Sequence, residues 1–258
     1  MQNVTDFTLK AYFYYLKAIK KSYPTIIRFD EYFMKSTRPK NFCIIRHDVD
    51  RFPIHALRMA ILENKMGIKS TYYFRAKTHV FLPKIMKRIG DLGHEIGYHY
   101  ECLSDTRGDI ATAMKDFENN LSKFREIVDI KTISMHGRPH APFDNRDIWR
   151  DKKCHSKLVN KLGILGEIYL DIDYSNIFYL TDTGRNWNSN SNVRDTVDSF
   201  INHSFFDMAE LLSHISKKPD SAFIFSLHPE RWPSTFWGYY RSFILDFISN
   251  LTKNIAAN

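Results

Sequence analysis

Five short stretches of this 258-residue chain place ionisable side chains directly after apolar runs. "FCIIR" (42–46) leads into His47, Asp48 and Asp50, "EIGY" into His99 and Glu101, and "KTISM" into His136 and Arg138. "IFYLT" is followed by Asp182 and Arg185, and "AFIFSL" by His228, Glu230 and Arg231. Carboxylates and imidazoles are the donors that zinc or another first-row cation prefers. Two carboxylates one residue apart, Asp48 and Asp50, raise each other's pKa when they share a buried site. A division of labour resolves that conflict: one ligates a cation, while the other stays free to take a proton from an attacking water. Metal-assisted hydrolysis is the chemistry that suits these types and spacings.

The elements that must position these groups alternate along the chain. Residues 42–46, 70–74, 95–99, 131–135, 167–170, 177–181 and 222–227 are compact apolar or aromatic runs of strand length. Helical period marks the stretch from Pro53 to Gly67, then 83–93 and 110–128, and helices are expected at 204–216 and 235–253. Residues 136–165 read as loop. Strands buried on both faces and separated by helices predict a parallel α/β sheet. Seven such units fit a distorted (β/α)7 barrel, in which functional groups gather at the C-terminal strand ends. Helices at 7–21 and 29–35 form an N-terminal extension (1–40). With no internal repeat or Pro/Gly/Ser linker, 1–258 reads as a single domain.

Composition narrows the function classes. At 43% hydrophobic and 26% charged the chain is globular. No apolar run approaches the ~18–20 residues that span a bilayer. The N-terminus lacks the order of a signal peptide, so a cytoplasmic protein is expected. Cys43, Cys102 and Cys154 form no CxxC pair and read as reduced, small apolar residues. A net charge of +8 suits an anionic partner. The charge is spread, however, and no nucleic-acid motif accompanies it, so an anionic or nucleotide-linked sugar is expected rather than nucleic acid.

"RHDVD", "GHEIGYHYE", "HGRP" and "SLHPERW" occur in the order found in the polysaccharide deacetylase (NodB-homology) family. The chain resembles that family over roughly residues 40 to 233. "RHDVDRFPIHALRMAILENKMGIKSTYYF" and "LDIDYSNIFYLTDTGRNW" are more closely similar to the deacetylase-like proteins encoded among lipopolysaccharide O-antigen and capsule biosynthesis genes. The resemblance implies a distorted seven-stranded (β/α) barrel that uses a divalent metal, zinc above others, to remove acetyl groups from sugars. It implies Asp48 as catalytic base, Asp50 and His99 as metal ligands, His228 as general acid, and Arg138 as the arginine that orients the base. A second histidine is expected four residues after His99, where this chain has Leu103. The third ligand is then His136 or Glu101, with His136 favoured. The substrate would be a nucleotide- or lipid-linked precursor of a surface polysaccharide.

Other residues keep two readings. Arg46 and His47 read as ion-pair residues, His94 as a buried, hydrogen-bonded histidine, and Asp171 and Asp173 as orienting residues. In "TDTGRNWN", Asp182 and Arg185 form either a loop ion pair or, with Trp187, a fork and an indole face for an acidic sugar. Trp232, next to Arg231, either stacks on a sugar ring or packs under the barrel rim. Leu103 also admits a barrel that binds or modifies sugar without hydrolysis, and a metal hydrolase of another amide or ester stays open.

Overall fold

The computed structural model describes residues 4–36, 40–138, 141–185, 187, 195–201, 203–217 and 221–257, with side chains through residue 248. Two helices, α1 (Leu9–Ser22) and α2 (Phe29–Met34), precede β1 (Cys43–Val49). There follow α3 (Pro53–Lys65), β2 (Thr71–Arg75), α4 (Pro83–Asp91) and β3 (Glu95–Tyr100). Next come α5 (Cys102–Asp105), α6 (Ile110–Arg125), β4 (Thr132–Met135), α7 (Asp147–Arg150), α8 (Lys152–Asn160) and β5 (Gly166–Glu167). The chain continues through β6 (Ile177–Thr181), α9 (Met208–Ser216), β7 (Ala222–Leu227) and α10 (Phe236–Ala257).

All seven strands are parallel, in the order β5-β4-β3-β2-β1-β7-β6. This is the expected seven-stranded β/α barrel, distorted in that its end strands β5 and β6 form no ladder with one another. Side chains bridge the seam instead. Asp195 accepts from the Tyr169 hydroxyl at 2.9 Å, just past β5, and from the Tyr179 hydroxyl on β6.

Local chemistry explains the elements. Asp109 caps α6 by accepting from the Thr112 amide at 2.6 Å, and Ala113, Met114, Phe117, Leu121 and Phe124 bury one face of that helix. Gly97 is required where β3 passes under Tyr73: a Cβ there would lie 2.2 Å from the ring, whose hydroxyl bonds Thr132 Oγ1 at 2.7 Å. Cys43, Cys102 and Cys154 are buried and unpaired with one another, as expected.

Three expectations need correction. The loop-rich stretch 136–165 also carries two short helices that the pattern did not show, α7 and α8, the second capped by Asp151 accepting from the Lys153 and Cys154 amides. The strand expected at 167–170 stops at Glu167, whose carboxylate accepts from the Tyr169 and Leu170 amides and turns the backbone out of the sheet. Finally, β1 extends beyond residue 46 to Val49, so Asp48 lies inside the strand rather than after it.

α1 is bound to the sheet by a buried polar hub. Glu63 on α3 meets His47 Nε2 at 2.7 Å, the Tyr72 hydroxyl at 2.7 Å, Ser70 Oγ at 2.5 Å, and the hydroxyl of Tyr12 from α1. His94 bonds the Ala60 carbonyl at 3.0 Å and completes the cluster as the buried histidine expected. Burial opposes ionisation of Glu63, yet His47, His94 and the Ser70 hydroxyl hold its carboxyl at about 2, against an ordinary value of 4.5. A carboxylate depressed in this way stabilises the fold above its unfolded pKa, and the effect is lost as pH falls through the folded value. Glu63→Ala is expected to cost about 3–5 kcal/mol at pH 7 by breaking a buried charged network. Denaturation curves of variant and parent should approach one another as pH falls from about 4.5 towards 2. A gap that stayed constant with pH would assign the loss to packing.

Candidate metal and acid–base site

Strand alternation sends Arg46 and Asp48 to the barrel interior and His47 to the helices outside. Arg46 grips Asp48 with both prongs of its fork: Nε donates to Oδ1 at 2.8 Å and Nη2 donates to Oδ2. Nη2 also donates to Ser134 Oγ at 2.9 Å and to the Tyr169 hydroxyl at 2.7 Å, and the guanidinium lies 4.5 Å from the Tyr169 ring centroid. Arg46 is fully buried and Asp48 nearly so. With Nη1 also 3.4 Å from the Tyr179 hydroxyl, the pair is fixed by β4, β6 and the β5 turn at once.

The turn after β1 brings Asp50 to two imidazoles. Its Oδ1 lies 3.6 Å from His99 Nε2 at the end of β3 and 3.4 Å from His136 Nε2 just past β4. Ligand atoms of these three residues lie within 4.8 Å of one another. His99 Nδ1 is 2.9 Å from the Ser134 carbonyl, which can only accept, so that nitrogen carries the hydrogen and Nε2 turns a lone pair to Asp50. Burial holds His99 down at about 4, neutral at pH 7 as a ligand must be. Burial alone would raise Asp50, but the neighbouring His136, with His228 beyond it, outweighs burial and keeps the carboxyl well below its ordinary range.

A cation fits this donor set. Asp50 Oδ1 is a buried atom without a hydrogen-bond partner, and one carboxylate with two imidazoles is a set that zinc and its neighbours accept. Of the two candidates for third donor, the geometry groups His136 with Asp50 and His99. Glu101 is bound elsewhere: Arg75 donates to both its oxygens, at 2.8 and 3.0 Å. Glu101 Oε2 also stands 3.5 Å from His136 Nδ1, where it orients that ring. Leu103 is buried in the core, so its position offers no ligand.

His228 follows β7. Its Nδ1 donates to Asp182 Oδ1 at 2.7 Å, so Nε2 is not engaged in that bond. Burial and Arg231 push its pKa down, but Asp182 and Asp50 prevail and raise it to about 9. It is therefore a proton donor at neutral pH.

Two expectations about side chains are corrected here. Arg138 does not reach Asp48: it is 42% exposed and donates to Asp105 Oδ1 at 2.9 Å, with Glu101 at 3.8 Å. Those rim carboxylates draw it outward, and the space against Asp48 is filled by Arg46. The expected sugar-contacting set Asp182, Arg185, Trp187, Arg231 and Trp232 is also internal. Asp182 accepts from the His228 amide, from Arg231 Nη1 at 2.9 Å and from Trp232 Nε1 at 2.7 Å, so Arg231 and Trp232 frame the histidine. Burial would raise Asp182, and Arg231 with His228 keeps it low. Trp187 stacks on Phe7 at 5.0 Å and donates to Asp6, while Arg185 pairs with Asp246 at 3.0 Å. Asp171 takes the Trp149 indole and the Glu167 amide, and exposed Asp173 caps Ser175, so both serve local turns.

Two groups at the site had little sequence signal. Arg46 precedes Asp48 by two residues, and that spacing alone places them on one face of a strand. Asp195, which joins Tyr169, Tyr179, Thr181 and Thr183, lies in a segment with no regular pattern.

No family model matches the chain, and no curated protein matches it by sequence. Solved structures do resemble it. The Xyl-CE4 domain of a multidomain xylanase from the hindgut metagenome of Trinervitermes trinervoides is 16% identical, with a TM-score of 0.40, covering 84% of this chain and 85% of that one. A CE4-family pseudoenzyme from Bacillus anthracis is 12% identical, with a TM-score of 0.45 and coverage of 84% and 63%. A peptidoglycan deacetylase from Bacillus subtilis is 13% identical, with a TM-score of 0.33 and coverage of 83% and 97%.

Proposed function

We propose that this chain is a metal-dependent hydrolase that removes the acetyl group from an N-acetylated sugar. One observation carries the reading: Asp50, His99 and His136 converge, with a partnerless carboxylate oxygen among them, beside an arginine-clamped aspartate. These three residues would hold the cation, zinc being the best match to the donors. When bound, it supplies a Lewis acid that polarises the amide carbonyl and favours ionisation of water.

The protein's own groups do the rest. Asp48, oriented by the Arg46 fork, takes the proton of the attacking water. His228, protonated and held by Asp182, gives its proton to the departing nitrogen, so an amine and acetate leave. Glu101 and the Ser134 carbonyl keep the two imidazoles facing Asp50. The sequence resemblance supports a nucleotide- or lipid-linked precursor of an O-antigen or capsule as substrate, met in the cytoplasm.

The test is acetate release from N-acetylated sugars by protein as purified, after chelation, and after reloading with zinc. Release that disappears on chelation and returns on reloading is expected. Release unaffected by chelation would remove the metal from the reaction. No release by the loaded protein from any acetylated sugar would favour a barrel that binds sugar without hydrolysing it.

A further inference from the structure

Over residues 236–248, α10 is built inside out. The buried positions there are polar: Ser242 donates to the Glu230 carbonyl at 2.7 Å, and Asp246 meets Arg185 at 3.0 Å, Arg231 at 3.5 Å and Arg51 at 3.7 Å. Apart from Arg241, the outward positions there are mainly apolar. Phe236, Trp237, Tyr240, Phe243, Ile244 and Phe247 are 45–80% exposed and follow one helical stripe. A surface helix normally turns the opposite way. Here the buried carboxylate fixes the orientation, because turning the apolar stripe inward would strip Asp246 from three arginines.

Cations flank the stripe on its α1 side, whereas Asp6 and Asp207 line the cavity on the other side, beside Phe243 and Arg185. Across a groove of about 700 Å³, α1 faces Phe236 and Tyr240 with Lys10 and Phe13, and no carboxylate lines that groove among the described residues. Lys17 Nζ lies 5.9 Å from the Phe13 ring. Arg58 donates to Ser234 Oγ at 2.9 Å, and Arg241 sits 4.5 Å over Phe52.

We propose that this face docks on an anionic lipid bilayer. Phenylalanine, tryptophan and tyrosine beside lysine and arginine are the composition of a helix lying in the membrane interface. The chain's net charge of +8 adds to the attraction. A second copy fits less well, since a twofold contact would set these cations against their own equivalents. The helix lies on the bilayer rather than across it: among the described residues no helix is long and apolar enough to span one.

Docking would place the site at the surface. α10 begins just beyond the Pro229–Arg231 turn that follows His228, and Arg231 binds both Asp182 and Asp246. The acetylated sugar within reach is then a lipid-linked one. That substrate class rests on the proposed hydrolysis, whereas docking rests on α10 alone.

The test uses the full chain with phosphatidylcholine vesicles, with and without phosphatidylglycerol, in the absence of substrate. Co-sedimentation with the anionic vesicles, weakened by salt, is expected. A blue shift in emission should accompany it, because Trp237 is the exposed tryptophan while Trp149, Trp187 and Trp232 are buried. The variant Trp237→Ser/Ile244→Ser/Phe247→Ser should bind roughly tenfold or more weakly, as loss of buried apolar area requires. No binding, or equal binding to neutral vesicles, overturns the proposal. A concentration-dependent dimer in sedimentation velocity, lost in the triple variant, would give the face to a second copy instead. Acetate release from water-soluble sugars, measured in parallel, reports on the hydrolytic reading independently.

Discussion

Asp48→Asn is expected to lower acetate release by about 10³-fold or more while leaving bound metal near the parent amount; the activity loss corresponds to ~4 kcal/mol of transition-state stabilisation. The expectation follows from the separation of the two carboxylates. Asp50 is grouped with His99 and His136, whereas Asp48 has both oxygens on the Arg46 fork and lies 3.6 Å from His99 Nε2. Each Asp48 oxygen retains a lone pair for a proton even while it accepts from Arg46. Asparagine keeps the size and one acceptor but cannot take that proton. It also leaves the buried Arg46 charge with less compensation, so some loss of stability should accompany it. Elemental analysis beside acetate assays decides the matter. Parent-like turnover in Asp48→Asn would remove it as the base, and loss of metal together with activity would make it a ligand.

The second large effect separates two arginines. Arg46→Lys is expected to reduce kcat by about 10²-fold with little change in KM, because a point charge cannot reproduce the two-pronged grip on Asp48. Arg138→Ala should stay within about threefold, since its ion pairs with Asp105 and Glu101 are at a half-exposed rim. Lysine is the informative substitution because it keeps the buried positive charge. Arg46→Met would leave Asp48 unpaired in the interior and is expected to cost about 3–5 kcal/mol of stability, confusing folding with catalysis. A loss of activity in Arg138→Ala with little change in Arg46→Lys would reverse the assignment and return Arg138 to the role that the sequence resemblance implies.

Much of the architecture is written in local pattern. Short apolar runs alternating with helical stripes are sufficient to place seven parallel strands, because a strand covered on both faces needs apolar residues throughout and a crossover needs about one helix. The same reading puts Asp50, His99 and His136 at strand ends that share one mouth. Even the irregularity at Leu103 is visible in the motif. The strand at 167–170 is shortened for a reason no pattern shows: the Glu167 carboxylate reaches forward to cap its own successors.

What tertiary structure alone decided was partnership and direction. Glu101 and His136 are both possible donors by type, with His136 favoured, and Arg75, delivered by the neighbouring strand β2, occupies the glutamate. Arg46 stands two residues before Asp48 and Arg138 follows a different strand, and only the packed interior shows which arginine reaches that carboxylate. Asp182, Arg231 and Trp232 resemble a polar surface set until β6 and β7 fold them under the rim around His228. α10 is the plainest case. Helical spacing identifies an apolar face, but spacing is blind to which way that face turns. In this protein a buried aspartate among three arginines turned it outward, because a charge removed from water must keep its partners while exposed apolar area carries a smaller penalty.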